Sequence, residues 1–235
     1  MQKVAIIIPC YNEEKRLSIT VLKELHNTTQ THIYLCNDGS TDSTATLIEE
    51  FAKPLERCFV IQFAINQGKA NTIYKSVKNI VANGDYSHIG YFDADFSTPV
   101  SEIKRMLDRI EEVPDKFLLA SRVKLLNYDI QRKAHRHIIG RVIITFVNLK
   151  LKLGIYDTQC GAKLFPLEVI KEAFLQPFKT SWLFDIEIFI RLKQKGYLTR
   201  GEEFPLRHWK DVDGSKLSWK TSFKIFKELY ILNKL

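Results

Sequence analysis

No stretch of this sequence approaches the roughly 20 uninterrupted apolar residues that cross a bilayer. The nearest, residues 138–155, is broken by Arg141, Asn148, Lys150 and Lys152, which makes it amphipathic. Cysteine is scarce, at four in 235 residues, and none sits in a C-x-x-C pair or zinc-like spacing, which argues against a zinc ribbon and a disulfide scaffold. Cys10, Cys36 and Cys58 border apolar runs, so buried free thiols in a reducing compartment are expected. The six histidines show no metal-ligand spacing, and His135 and His137, among arginines, read as surface residues. No Pro-, Gly- or Ser-rich linker, low-complexity tract or repeat interrupts the chain, so residues 1–235 are expected to form a single domain. Met-Gln-Lys runs directly into a strand, so no leader peptide is expected. Acid is nearly missing from residues 116–152, where Arg122, Lys124, Arg132, Lys133, Arg136, Arg141 and Lys150 face only Asp129. Within a net charge of +8, that asymmetry suggests a phosphate-bearing partner or an anionic membrane surface. Nucleic acid is not expected, because single-strand binding needs exposed aromatics among the basic residues and the aromatics here sit mainly in apolar runs.

What is present in the first half is alternation. Residues 4–8, 32–36, 58–63, 87–92 and 117–120 read as short buried strands, and 13–26, 44–51, 67–81 and a segment opened by Pro99 as helices. Strand–helix repetition of this kind predicts an α/β fold, a doubly wound, mostly parallel sheet with helices on both faces. Ligands of such sheets sit beyond the carboxyl ends of the strands, which here carry the loops 9–13, 37–43, 66–71 and 93–99. After Ser121 the alternation gives way to long amphipathic helices, with short strands near 162–165 and 197–205.

The loop after the fourth strand contains Asp93-Ala94-Asp95. Residues i and i+2 of an extended segment project to the same side, so the two carboxylates can share one hard cation. Such a pair arises easily by chance in a chain of this length, and its neighbours must decide its meaning.

Those neighbours are Ile-Ile-Ile-Pro-Cys-Tyr-Asn-Glu-Glu (6–14) and Asn-Asp-Gly-Ser-Thr-Asp-Ser-Thr (37–44). With Asp93-Ala94-Asp95 they resemble, in order and spacing, the signatures of family 2 glycosyltransferases of the GT-A fold. Asn-Gln-Gly-Lys (66–69), Ala-Ser-Arg (120–122), Asp-Thr-Gln-Cys-Gly-Ala-Lys-Leu-Phe (157–165), Trp-Leu-Phe-Asp-Ile-Glu (182–187) and Gly-Ser-Lys (214–216) narrow the resemblance to dolichyl-phosphate β-glucosyltransferases and related polyprenyl-phosphate glycosyltransferases. The resemblance implies a Rossmann-like GT-A sheet, with residues 1–121 as the nucleotide-sugar half and 122–235 as the acceptor half. It implies an inverting hexosyltransferase that moves glucose from UDP-glucose to a polyprenyl phosphate with Mg²⁺ or Mn²⁺. Enzymes of this kind usually carry a transmembrane anchor that residues 1–235 do not show. Contact with the cytoplasmic membrane face is therefore expected through amphipathic helices or a membrane-protein partner, with a homo-oligomer left open.

In this reading Pro9, Tyr11 and Glu13 wall the base and ribose, and the Asp38 carboxylate accepts from the base, unless it serves only as a turn residue. Gly68 admits close backbone approach and Lys69 offsets diphosphate charge. Asp95 is the firmer metal ligand, and Asp93 reaches the ribose or the ion. Ser97 is expected to cap the helix that Pro99 opens. On the acceptor side, a phosphate monoester is already ionised near neutrality and needs positioning cations more than a base. Arg122, Arg132 and Arg136 suit that role, the last two as an i, i+4 pair on one helix face. Asp157 and Asp185 are the candidate catalytic-region carboxylates, beside Arg122. With a glycan or small-molecule hydroxyl acceptor, in cell-surface polysaccharide synthesis, one of them would be the base. Of Asp185 and Glu187, spaced i, i+2, one is expected to face the site and the other a structural partner. Trp209 is expected to gate the site from a loop ending at residues 214–216.

Overall fold

The structure is a computed structural model that describes residues 2–132, 134–212 and 219–235, and their side chains except at 134–139, 219–223 and 226. In the first half, β1 (Val4–Cys10), α1 (Ile19–Thr28), β2 (His32–Asp38), α2 (Thr44–Ala52), β3 (Cys58–Phe63), α3 (Lys69–Asn83), β4 (His88–Phe92) and α4 (Val100–Glu112) alternate as the periodicity predicts. The second half contains β5 (Phe117–Ser121), β6 (Asp129–Gln131), α5 (Ala134–Leu151), β7 (Ala162–Pro166), α6 (Leu167–Ala173), α7 (Phe184–Gln194), β8 (Gly201–Pro205), β9 (His208–Lys210) and α8 (Trp219–Leu232).

Seven strands form one sheet in the order β3-β2-β1-β4-β7-β5-β8, and β6 pairs with β9 in a small ribbon. The first four strands are mutually parallel. The sheet is mostly parallel as expected, with one reversal: β7 runs antiparallel to both β4 and β5. A strand buried on both faces has no polar side, which is why these segments read as continuous apolar runs. Alternate residues of β1 serve opposite layers. Ala5 and Ile7 pack with α3, α6 and α7 residues, while Val4, Ile6, Ile8 and Cys10 pack with α1, α2 and α4 residues.

Two expected elements differ. The first helix begins at Ile19, capped by Ser18, not at residue 13, because residues 13–17 close a turn in which Arg16 and Leu17 N–H donate to the Glu13 carbonyl. Arg132 precedes α5, so it shares no helix face with Arg136, whose side chain lies outside the described residues together with His135 and His137. All four cysteines are buried and unbridged. Burial pushes the Cys36 and Cys58 thiols up to about 12 and Cys160 to about 11, so they stay protonated.

The loop after β2 depends on Gly39, which has φ of +65° and would drive a Cβ into the backbone of Ile65 and Asn66. The left-handed conformation alone costs a non-glycine residue about 1–2 kcal/mol. Gly39→Ala is therefore expected to lower unfolding stability by more than that, as measured by urea titration.

Candidate active site

The carboxyl ends of β1 to β4 are laced together by side chains that the motifs supply. Asn12 N–H donates to Ser40 Oγ at 3.0 Å, Thr41 N–H to Asn12 Oδ1 at 2.9 Å, and Glu13 N–H to Thr44 Oγ1 at 2.8 Å. Asp38 is buried, and its two oxygens accept from Gln67 N–H at 2.9 Å and Gly68 N–H at 2.8 Å. It thus fastens the loop before α3 to the end of β2, an anchoring role beyond the base contact and turn role expected from sequence. A cavity of about 440 Å³ lies over these loops, lined by Pro9, Tyr11, Glu13, Arg16, Asp38, Gly68, Lys69, Asp93, Asp95 and Trp182. Every residue assigned from sequence to the nucleotide sugar therefore meets in one place. Arg16 was not singled out by sequence; its fork binds Glu13, with Nε to Oε2 at 2.8 Å, and no motif flagged it.

The turn after β4 is shaped by its own backbone. Asp93 N–H donates to the Gly161 carbonyl at 3.0 Å and Phe96 N–H to the Asp93 carbonyl at 3.2 Å. Phe96 adopts φ of +49°, an uncommon conformation for a bulky residue. Ser97 N–H donates to Asp95 Oδ1 at 3.0 Å. Ser97 does not cap α4: the cap position is Pro99, with no side-chain bond. Asp93 is ion-paired with Lys69 Nζ. Burial opposes the charge on Lys69, but Asp93, Asp185 and Asp95 outweigh it and hold its pKa above the ordinary value. Among the described residues no cluster of three or more His, Cys, Asp or Glu could hold a metal by itself. Asp93 and Asp95 fit a hard cation as a partial oxygen set, to be completed by substrate oxygens and water.

A second cavity, of about 370 Å³, shares Lys69, Asp93, Asp95 and Trp182 with the first and extends over Arg122, Arg132, Arg141, Asp157, Asp185 and Trp209. Arg122 and Asp157 form a bidentate pair there, Nε to Oδ2 at 2.7 Å and Nη2 to Oδ1 at 2.8 Å, with Arg122 N–H adding 3.0 Å to Oδ2. Burial works against the Asp157 charge, yet Arg122 overrides it and holds the carboxyl well below the usual range. An ionised carboxylate so held is a poor base. Arg132 stands nearby, its guanidinium pushed below its ordinary pKa by burial and the Arg122 charge. Trp209 is buried in β9 beneath Arg122, 5.2 Å from guanidinium carbon to ring centre, so it is part of the wall, not a loop gate. Residues 214–216 lie outside the described residues.

Asp185 lines this cavity at the start of α7. It accepts from Tyr91 Oη at 2.5 Å and pairs with Lys163 Nζ at 2.7 Å, and the fully buried Lys163 also donates to the Cys160 carbonyl at 2.5 Å. Glu187 turns inward and accepts from Lys179 N–H, Thr180 N–H and Thr180 Oγ1 and from Arg191. Lys163 and Tyr91 were missed in the sequence because each sits in an apolar strand where nothing local marks a polar partner. On the opposite side of the loop, a Cβ on Gly161 would overlap the Asp93 carboxylate.

The sequence matches the model of glycosyl transferase family 2 over residues 5–174. The chain belongs to glycosyl transferase family 2. It is 30% identical over 254 residues to dolichyl-phosphate beta-glucosyltransferase of Saccharomyces cerevisiae, covering 97% of this chain and 73% of that one. The corresponding protein of Dictyostelium discoideum is 28% identical, over 96% of this chain and 72% of its own. Among solved structures, glucosyl-3-phosphoglycerate synthase from Mycobacterium tuberculosis, crystallised with Mn²⁺, UDP-glucose and phosphoglyceric acid, superposes with a TM-score of 0.71 at 12% identity, covering 98% of this chain and 78% of that one. This family 2 glycosyltransferase has the GT-A fold.

The Arg122–Asp157 pair makes a pH prediction. The folded pKa of Asp157 lies below its unfolded value of about 3.9, so the pair stabilises the fold above that pH and the contribution fades as pH falls toward the folded value. Asp157→Asn is expected to cost about 3 kcal/mol or more near neutrality. In urea titrations, its deficit against the unmodified enzyme should stay constant from about pH 5 to 8 and shrink below about pH 4.

Proposed function

We propose that this glycosyltransferase moves glucose from UDP-glucose to a dolichyl or other polyprenyl phosphate, with inversion at the anomeric carbon. The reading rests on one observation. The two cavities meet at Lys69, Asp93 and Asp95, and the far one offers arginines while its Asp157 and Asp185 carboxylates are already bound by Arg122 and Lys163. An acceptor that arrives ionised needs no base there. The yeast and Dictyostelium relatives, named as dolichyl-phosphate beta-glucosyltransferases, support the same reading.

The nucleoside diphosphate lies in the first cavity, its base against Pro9, Tyr11 and Asp38, its diphosphate beside Gly68 and Lys69. Asp95, with Asp93, would hold Mg²⁺ or Mn²⁺, which stabilises negative charge on the departing diphosphate. Arg132 holds the acceptor phosphate, joined by what remains of the Arg122 fork; the Arg136 side chain, given the same role from sequence, lies outside the described residues. A phosphate oxygen attacks the anomeric carbon on the face away from the diphosphate. The new carbon–oxygen bond forms as the old one breaks, its electron pair leaving with UDP. Asp157 acts by setting Arg122. Asp185, fixed by Lys163 and Tyr91, presents its charge to Lys69. The two halves, 1–121 and 122–235, work as one domain on either side of the reacting carbon.

The enzyme is proposed to work peripherally on the cytoplasmic membrane face. Among the described residues no helix is long and apolar enough to cross a membrane. Val142, Phe146 and Leu149, at i, i+4 and i+7 on α5, are exposed and stand near Arg141, Lys150 and Lys152, a composition that suits an anionic lipid surface.

With Mn²⁺, UDP-glucose and a short-chain polyprenyl phosphate, the purified enzyme is expected to form glucosyl phosphoryl lipid and UDP. Removing one charged phosphate contact is worth about 1.5–3 kcal/mol, so Arg132→Ala should slow transfer about tenfold to a hundredfold while leaving UDP binding nearly unchanged. Transfer from no nucleotide sugar to any polyprenyl phosphate ends this reading. A hydroxyl acceptor would instead show turnover without lipid and a greater loss in Asp185→Asn than in Arg132→Ala.

A further inference from the structure

Two polar atoms of residues along the second cavity have no hydrogen-bond partner among the described residues: Thr158 Oγ1 and Gln159 Nε2. Both residues line the second cavity, and Thr158 is 1% exposed. A buried polar atom left without a partner costs on the order of 1–3 kcal/mol, and native proteins keep few of them. Two on consecutive residues that line one cavity point to a ligand that completes them.

Their place in the chain says which part of the ligand. Thr158 follows Asp157, which is locked to Arg122 on the acceptor side. Gln159 N–H donates to Asp157 Oδ1 at 3.2 Å, fixing the turn. Two residues later Gly161 supports Asp93, on the diphosphate side. The orphaned atoms therefore lie on the segment that joins the diphosphate group to the acceptor arginines. In a transfer between two phosphates, the group between them is the sugar.

We infer that Thr158 Oγ1 and Gln159 Nε2 bind hydroxyl groups of the transferred sugar and set its selectivity. This rests on the donor and acceptor sides assigned under Proposed function. The hydroxyl of Thr158 can donate or accept, while the Gln159 amide nitrogen only donates, so the pair fits one sugar hydroxyl as acceptor and a neighbour in either role. A site built to bond a hydroxyl discriminates strongly against an analogue that lacks it or turns it away.

The test uses Thr158→Val, which keeps the shape and removes the orphaned hydroxyl, and Gln159→Leu. Binding of UDP-glucose and of UDP, each with Mn²⁺, is measured by calorimetry for both variants and the unmodified enzyme. Each variant is expected to weaken UDP-glucose binding about fivefold to thirtyfold, the worth of one hydrogen bond to a buried group. UDP binding should stay within about twofold and the melting temperature should not fall, since removing an unsatisfied group does not destabilise the free protein. The inference is overturned if UDP-glucose affinity is unchanged in both variants, or if UDP affinity falls in equal proportion. An unmodified enzyme that binds neither UDP-glucose nor UDP overturns the donor assignment itself, and is distinguished by failing before any variant is compared.

Discussion

The contact on which the site depends is between Asp93 and a residue that has no side chain. Asp93 N–H donates to the Gly161 carbonyl, and its carboxylate occupies the space a Cβ on Gly161 would need. This joins the end of β4, which closes the parallel half of the sheet, to the lead-in of β7, the strand that runs the other way. Through it the two cavities acquire a common wall. Asp93 faces Lys69 on one side, and two to four residues before Gly161 stand Asp157, Thr158 and Gln159 on the other. Burial of the central strands then keeps the geometry rigid, since a close-packed interior resists the shift of any one layer.

Charge is arranged around this joint in pairs. Lys69 with Asp93, Lys163 with Asp185 and Arg122 with Asp157 alternate along the cavities. The Arg122–Asp157 and Lys163–Asp185 pairs are buried and Lys69–Asp93 is partly exposed; neither kind adds much to stability, because desolvation or solvent screening offsets the attraction. Their value here is positional. Each fixes a charged group that could otherwise rotate, so that the field at the reacting centre is set before substrate arrives. Lys163 is fully buried, held by Asp185 and the Cys160 carbonyl, with the Tyr91 ring 5.4 Å from its ammonium.

The first half of the fold was legible because each strand and helix announces itself locally, by a continuous apolar run or a helical stripe. The donor loops could be read for the same reason, since their positions at strand ends follow from the alternation. The acceptor half was less legible because its determinants are distant in sequence. Arg122 finds Asp157 across 35 residues and Tyr91 finds Asp185 across 94, and no period connects them. The reversal of β7 had no local mark either, as its apolar run suits either direction. Arg132 and Arg136 were misread as a helical pair because a spacing of four looks the same before a helix as within it. The anchoring role of Asp38 had no local mark because its bonds to Gln67 and Gly68 N–H depend on how two loops meet.

The reversal of β7 also divides the chain by how freely it can change. The segment from 157 to 161 must reach Arg122 and then Asp93, and β7 then locks register with β4 and β5. Shifting a strand by one residue turns every side chain to the opposite face, so the length of this lead-in is as constrained as its identity. The preceding stretch, from β6 through α5, contributes no strand to the main sheet, although Ile130, Ile144 and Val147 are buried in the core. Its exposed face, with Val142, Phe146 and Leu149, can change without disturbing the donor side. A single scaffold could thereby keep one nucleotide sugar while its descendants diverge in what they glycosylate.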